Sequence, residues 1–223
     1  MKIIVCIKQI PDTKDVRWSK DNNIIREGLI SILNPYDVYA LLAARKIKEK
    51  FKNTEITILS MGPNSAQEAI RYALCLSGGE NGILLSDKKF SGADTLATSK
   101  TLKYGISKIG EFDLILMGQF ALDGDTAQTP YSLSNILKLP HIGYVNKIEN
   151  IFEDEITVKS TKDNGIYTLK GKFPLVLSMS GFEGENYIPL ARDYVASQDK
   201  EIKILSSDDI GANSNEIGIK GSP

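Results

Sequence analysis

Histidine occurs once in the chain, tryptophan once and cysteine twice. A catalytic or metal centre built on imidazole or thiolate therefore has almost nothing to draw on. Cys6 and Cys75 stand alone inside apolar segments without CxxC spacing, a usage that suits a reducing cytoplasm and a packing role. No apolar run approaches the roughly 20 residues a membrane span needs, so no membrane insertion is expected. The start, MKIIVCIKQIPD, has no small-residue cleavage site and reads as a strand rather than a leader. Net charge is −1, which gives no global attraction for nucleic acid or anionic membrane. GxxxxGK[ST], GxGxxG and GxSxG are all missing, which removes the P-loop, the common dinucleotide fingerprint and the esterase elbow.

Short apolar runs alternate with segments of helical period. Ile3 to Ile7 is nearly continuous in apolar residues, the mark of a strand covered on both faces. Residues 12–33 interrupt the pattern, with Val16-Arg17-Trp18 and Ile24-Ile25-Arg26 flanking Asp21-Asn22-Asn23 as a hairpin excursion. Asn34-Pro35 reads as an N-cap and its favoured N1 proline. Further strands are expected at Ile56–Met61, Ile83–Ser86, Leu114–Met117 and His141–Val145. Between them lie helices, one opened by a Ser65/Glu68 capping box, the later two at about 93–108 and 129–137. This alternation predicts an α/β fold, a doubly wound and mostly parallel sheet. After residue 150 the pattern changes: Ile156–Ser160 and Ile166–Leu169 alternate around Asp163-Asn164-Gly165, a hairpin signal, and Leu175–Met179 reads as one more buried strand. The expectation is a single domain: a nucleotide-binding core over 1–150, an antiparallel sheet extension over 151–180, and a polar tail over 181–223 wrapping the surface.

Ligands of open parallel sheets bind beyond the carboxyl ends of the strands. Lys8-Gln9, Met61-Gly62-Pro63, Ser86-Asp87 with Ser91-Gly92-Ala93-Asp94-Thr95, and Gly118 through Gln128 occupy those places. Glycine and small hydroxyls there suit a nucleotide, since backbone and helix N-termini can approach its phosphates. Each piece also has a structural reading. Gly62-Pro63 serves as a turn, and Thr95 and Thr98 as caps. Asp123 and Asp125 shape a turn rather than bind a metal. His141 is a strand-edge residue, Lys8 and Gln9 a solvated strand end, and Trp18 a packing residue of the hairpin.

VCIKQIPDT, REGLISILNPYD, LSMGP, LSD with F-x-GADTLAT, and DGDTAQ follow one another in this order. In order and spacing they resemble the electron-transfer flavoprotein β subunit, closely over about residues 1–150 and more loosely to Gly221-Ser222-Pro223. The resemblance implies a heterodimer with an α subunit and a nucleotide held in this chain. That nucleotide is FAD, able to take a hydride from NADH in an electron-bifurcating complex, or AMP in a purely structural role. By motif, Cys6, Ile7, Asn34, Met61 and Gly62 flank the adenine. Ala93, Thr95, Thr98, Gly124, Asp125, Thr126 and Gln128 meet the phosphates. No side chain is expected to be catalytic, because the flavin carries the chemistry. Tyr187, Leu190 and Arg192 fall in the family's docking loop, which meets a flavoprotein dehydrogenase of the acyl-CoA dehydrogenase or another type. Three features depart from the family pattern. Thr129-Pro130-Tyr131 replaces a glycine-proline, and Tyr187 and Ala191 stand for an arginine and a leucine. The family also continues past Gly-Ser-Pro into an arm around the α subunit, so contact here is expected to rest on the core face or to be made up by the α subunit. Two other readings fit such a sheet: a subunit that binds AMP and only scaffolds the α-subunit flavin, and a universal-stress-type ATP-binding module that needs no partner.

Overall fold

The computed structural model describes residues 1–12, 31–183 and 187–223, with the backbone alone of residues 17–18 and 24–25. Along β1 (Lys2–Ile7), Ile3, Val5 and Ile7 pack into one core while Ile4 and Cys6 pack into another. Two-residue periodicity sends neighbours to opposite faces, and burial on both explains the unbroken apolar run. Short β2 (Gln9–Pro11) pairs antiparallel with β5 (Ser31–Leu33), and β3 (Arg17–Trp18) with β4 (Ile24–Ile25). The excursion is thus a hairpin as read. Its turn, Asp21-Asn22-Asn23, and the packing of Trp18 lie outside the described residues, as does the part of REGLISILNPYD at 26–30.

Three strand–helix–strand units follow. Helix α1 (Pro35–Lys50) leads to β6 (Glu55–Met61), α2 (Gln67–Ser77) to β7 (Asn81–Leu85), and α3 (Thr95–Ile109) to β8 (Leu114–Gly118). Then come α4 (Thr129–Leu137), β9 (His141–Ile151), β10 (Glu155–Lys162), β11 (Gly165–Lys172), β12 (Leu175–Met179), α5 (Ala191–Gln198), β13 (Ile202–Leu205) and α6 (Gly218–Gly221). One nine-stranded sheet has the order β11-β10-β9-β12-β8-β1-β6-β7-β13. All neighbours are parallel except β10, which runs antiparallel to β9 and to β11. The β10–β11 hairpin therefore hydrogen-bonds to the main sheet as an antiparallel extension, whereas β12, expected within that extension, lies inside the sheet and parallel to β8 and β9. Ala40, Leu41, Ile70 and Leu74 of α1 and α2 cover one face. Leu102, Ile106 and Leu133 of α3 and α4 cover the other. The chain builds outward from β1 through β6 and β7, then returns to place β8 on the other side of β1. This reversal opens a crevice between the carboxyl ends of β1 and β8.

One expectation fails locally. The Ser65/Glu68 capping box does not form: Pro63 launches a 3₁₀ turn over Asn64–Ala66, and α2 begins only at Gln67 with Ala66 as a capless N-cap. Ser65 instead directs its hydroxyl to Gln9 Oε1 at 3.2 Å. The tail expected to wrap the surface carries regular structure. It forms α5 against α2, tied by Arg71 to the carbonyls of Gln198 and Lys200, and then adds β13 parallel to β7 as the sheet's last strand.

Candidate functional site

The crevice is built around one buried carboxylate. Asn34 is the N-cap of α1 but makes no capping bond with its side chain, because that amide faces the neighbouring loop. Its Nδ2 donates to Asp37 Oδ1 at 3.0 Å and to the Phe120 carbonyl at 2.7 Å, which uses both amide hydrogens. Asp37, 4% exposed, also accepts from the Lys8 N–H (2.7 Å) and the Gly118 N–H (3.2 Å). One side chain thereby ties the end of β1, the start of α1 and the end of β8. Burial pushes its carboxyl up to about 7, against the hydrogen bonds from Lys8, Asn34 and Gly118 and the charge of Lys8, which pull it down. Gly118 has to be glycine: a Cβ there would collide with Asp37 Oδ1 and lie 2.9 Å from the Asp37 nitrogen. Burial, with the Asp37 charge second, raises the Cys6 thiol far above its usual range, so it is an inert packing group.

The loop after β8 crosses the crevice. Lys8 Nζ meets Asp123 Oδ1 at 2.6 Å, and the Asp123 side chain is only 5% exposed. Gly124, Asp125, Thr126 and Gln128 are exposed beyond it. Asp125 and Ala127 both adopt positive φ, 44° and 54°, a conformation costing a non-glycine residue about 1 kcal/mol or more. Such alternation turns successive backbone N–H groups toward one concavity, a geometry that favours anions. The loop tip meets α3, where Thr126 Oγ1 lies 3.5 Å from Thr95 Oγ1. The cap of α3 is Asp94, accepting from the Ala97 N–H at 2.8 Å, so Thr95 and Thr98 are not its caps. Both are half-buried within the first turns of the helix, near its positive pole. Ala93, also half-buried, precedes the cap.

The floor comes from β1 and β6. Cys6 and Ile7 are buried, paired with Leu59 and Ser60, and the Ser60 hydroxyl donates to the Ile7 carbonyl at 3.0 Å. Met61 and Gly62 continue that edge, half-exposed. The twelve sequence-selected positions lie at or just beyond the carboxyl ends of β1, β6, β7 and β8 or at the helix starts that follow, and a printed side-chain approach joins two of them, Thr95 and Thr126. Asp37 and the Lys8–Asp123 pair were missed. Asp37 stands inside the Asn-Pro-Tyr-Asp motif and reads as a helix-start acid, while Lys8 reads as a solvated strand end.

His141 lies to the side of this crevice. Its Nε2 is 2.9 Å from Ser178 Oγ, which donates onward to Gln119 Oε1 at 2.6 Å. A serine that donates to Gln119 accepts from histidine, so the Nε2–H tautomer is fixed. Burial lowers His141 to about 4 and keeps it neutral, the structural role expected for it. Among the described residues, no three His, Cys, Asp or Glu side chains are grouped to hold a metal ion, and no helix is long and apolar enough to cross a membrane. A groove of about 430 Å³ lined by Lys46, Lys50 and Lys147 shares no residue with the crevice.

The docking candidates lie elsewhere, on the segment entering α5. Tyr187 is half-buried, with the Arg45 guanidinium 3.3 Å from its ring centroid and its hydroxyl bonded to Asp193. Leu190 is 51% exposed and Arg192 is exposed. Ile188, Tyr194 and Val195, at 56–80% exposed, extend this apolar surface, and no motif in the sequence marks them.

Residues 21–191 match the family model described as "Electron transfer flavoprotein domain". The chain is 40% identical over its full length to the electron transfer flavoprotein subunit beta of Thermoanaerobacterium thermosaccharolyticum, covering 85% of that protein. It is 38% identical over its full length to subunit CarD of the caffeyl-CoA reductase-Etf complex of Acetobacterium woodii, again covering 85%. Protein FixA of Azorhizobium caulinodans is 36% identical, with the whole chain matched to 82% of that protein. With its sheet order, strand-end crevice and full-length likeness in agreement, this chain belongs to the electron transfer flavoprotein family, as one of its β subunits.

Proposed function

We propose that the chain relays electrons as one half of a heterodimer with an electron-transfer flavoprotein α subunit. In this reading it holds FAD in the crevice with its diphosphate between the 124–128 loop and the start of α3. The observation that carries this is the loop tip: Gly124 is exposed, and a Cβ added there would meet nothing within 4 Å. Its own fold does not require glycine at that position, whereas a diphosphate brought against the backbone does. Thr95 and Thr126 offer hydroxyls on either side, and the positive pole of α3 favours the negative charge. Cys6, Ile7, Met61 and Gly62 supply the floor and edge against which an adenine packs. When bound, FAD supplies the hydride and single-electron chemistry that no side chain here offers.

NADH as donor and a flavoprotein dehydrogenase as exchange partner complete the reading. The dehydrogenase would dock on the exposed surface from Ile188 through Val195, with Leu190 and Arg192 at its centre. The likeness to subunit CarD of the caffeyl-CoA reductase-Etf complex supports exchange with a partner that acts on a CoA ester.

The test is flavin content per heterodimer after co-purification with the α subunit. Wild type should carry about two flavins and Gly124→Asp about one, as single-site loss requires. Gly124→Asp should melt like wild type, because nothing in the chain occupies that space. A wild-type complex saturated with FAD that still holds a single flavin, with AMP in the extract, would overturn the FAD reading in favour of the scaffold.

A further inference from the structure

Of the two aspartates in the crossing loop, one is exposed beside the crevice and one is turned inward. Asp125 is exposed. Asp123 is buried at its carboxylate and held by Lys8 across 115 residues of sequence. Asn34 holds the same loop one to three residues earlier, donating to the Phe120 carbonyl and accepting from the Leu122 N–H at 3.4 Å. With both amide hydrogens committed, Asn34 has none to give an adenine ring. These contacts fall on residues 120–123, immediately before the exposed, strained stretch 124–128.

Resting on the nucleotide site proposed above, we infer that Lys8 and Asp123 form a latch, with Asn34 as its second point of attachment, and that both act as positioning residues. They hold the loop so that residues 124–128 face the start of α3, without touching the nucleotide themselves. Two strained φ angles within three residues need such an external hold, because the turn left to itself relaxes toward ordinary backbone. The latch also makes loop position depend on β1, whose end forms the floor of the crevice. Floor and phosphate loop are thereby set by the same residue.

Lys8→Met, Asp123→Asn, Lys8→Arg and the Lys8→Met/Asp123→Asn double variant test this in the full chain. The first readout is amide hydrogen exchange of residues 119–128 without nucleotide. The second is the dissociation constant for FAD, with AMP as the comparison ligand. Each neutralising single variant should speed loop exchange and weaken FAD binding about tenfold. The double variant should lose no more than the worse single, and Lys8→Arg should restore both readouts. A merely structural pair would lower the melting temperature without this pattern in affinity. The latch is overturned if loop exchange or FAD affinity stays at the wild-type value in both neutralising variants, or if their losses add in full. Faster exchange in the variants of a wild type that binds neither FAD nor AMP would instead overturn the nucleotide site and leave the loop contact standing.

Discussion

β1 and β11 belong to the same sheet and share little else. Every residue of β1 after Lys2 is buried, with helices on both faces. β11 is exposed along nearly its whole length, Ile166 at 65% and Tyr167 at 39%, and pairs only through β10. The inner strand is specified by burial, the outer by its hairpin turn and by pairing. The largest expected effect follows from this contrast. Leu116→Ala on β8, beside β1 and fully buried, should cost about 2–5 kcal/mol, whereas Ile166→Ala on β11 should stay within about 0.5 kcal/mol. Urea unfolding of the two variants checks it. Equal losses would mean that the outer hairpin packs against something the isolated chain does not show.

The same contrast explains what could be read in the residues. Strands covered on two sides print themselves as apolar runs, so β1, β6, β8 and β12 were legible. β13 was not: it is a four-residue edge strand with Lys203 and Ile204 exposed, and its apolar content resembles that of a polar tail. The capping box misled because Ser65 and Glu68 have the right spacing, while Pro63 commits the backbone to a 3₁₀ turn before a cap can form. At the crevice, the strand-end rule and the family resemblance located the site but not its mechanics. Nothing local distinguishes Asp123 from Asp125, since the difference is a lysine 115 residues away. Asp37 looks like any acid in a first helical turn until β8 brings Gly118 against it.

Asp37 also separates the centre from the edge by pH. Its carboxyl titrates near 7 in the folded chain and near 3.8 unfolded, so between those values the folded state holds the extra proton. Stability from this group is fullest below about 4 and is lost as pH rises toward 7, the reverse of a salt-bridged acid. Difference unfolding of wild type and Asp37→Asn across this range should show the slope disappear in the variant. A difference curve that is flat with pH would place Asp37 ionised in both states. The loss is expected to be a few kcal/mol, smaller than the core truncation, because the three hydrogen bonds to Asp37 offset part of the burial.

The smallest effect belongs to the opposite rim. Asp87 follows β7, accepts from the Lys89 N–H at 3.0 Å, and accepts from the Ser207 hydroxyl at 2.7 Å and the Ser207 N–H at 3.1 Å just after β13. Those bonds, the Lys89 N–H first, hold its carboxyl down to about 2, against 3.8 in the unfolded chain. Here the folded state is the one that releases the proton. The contribution is present above about 4 and is lost as pH falls through 2. The group sits near solvent, so screening keeps the effect to roughly 0.5–1 kcal/mol, well below what the shift alone implies. The clasp bridges β7 to β13, the strand the sequence concealed, so its loss should be local. Asp87→Asn should speed amide exchange in β13 at neutral pH while leaving β1 and β8 protected. Asp37→Asn should do the reverse, loosening the ends of β1 and β8 and sparing β13. If Asp87→Asn instead exposes the whole sheet, β13 is no peripheral addition and the division between centre and rim fails.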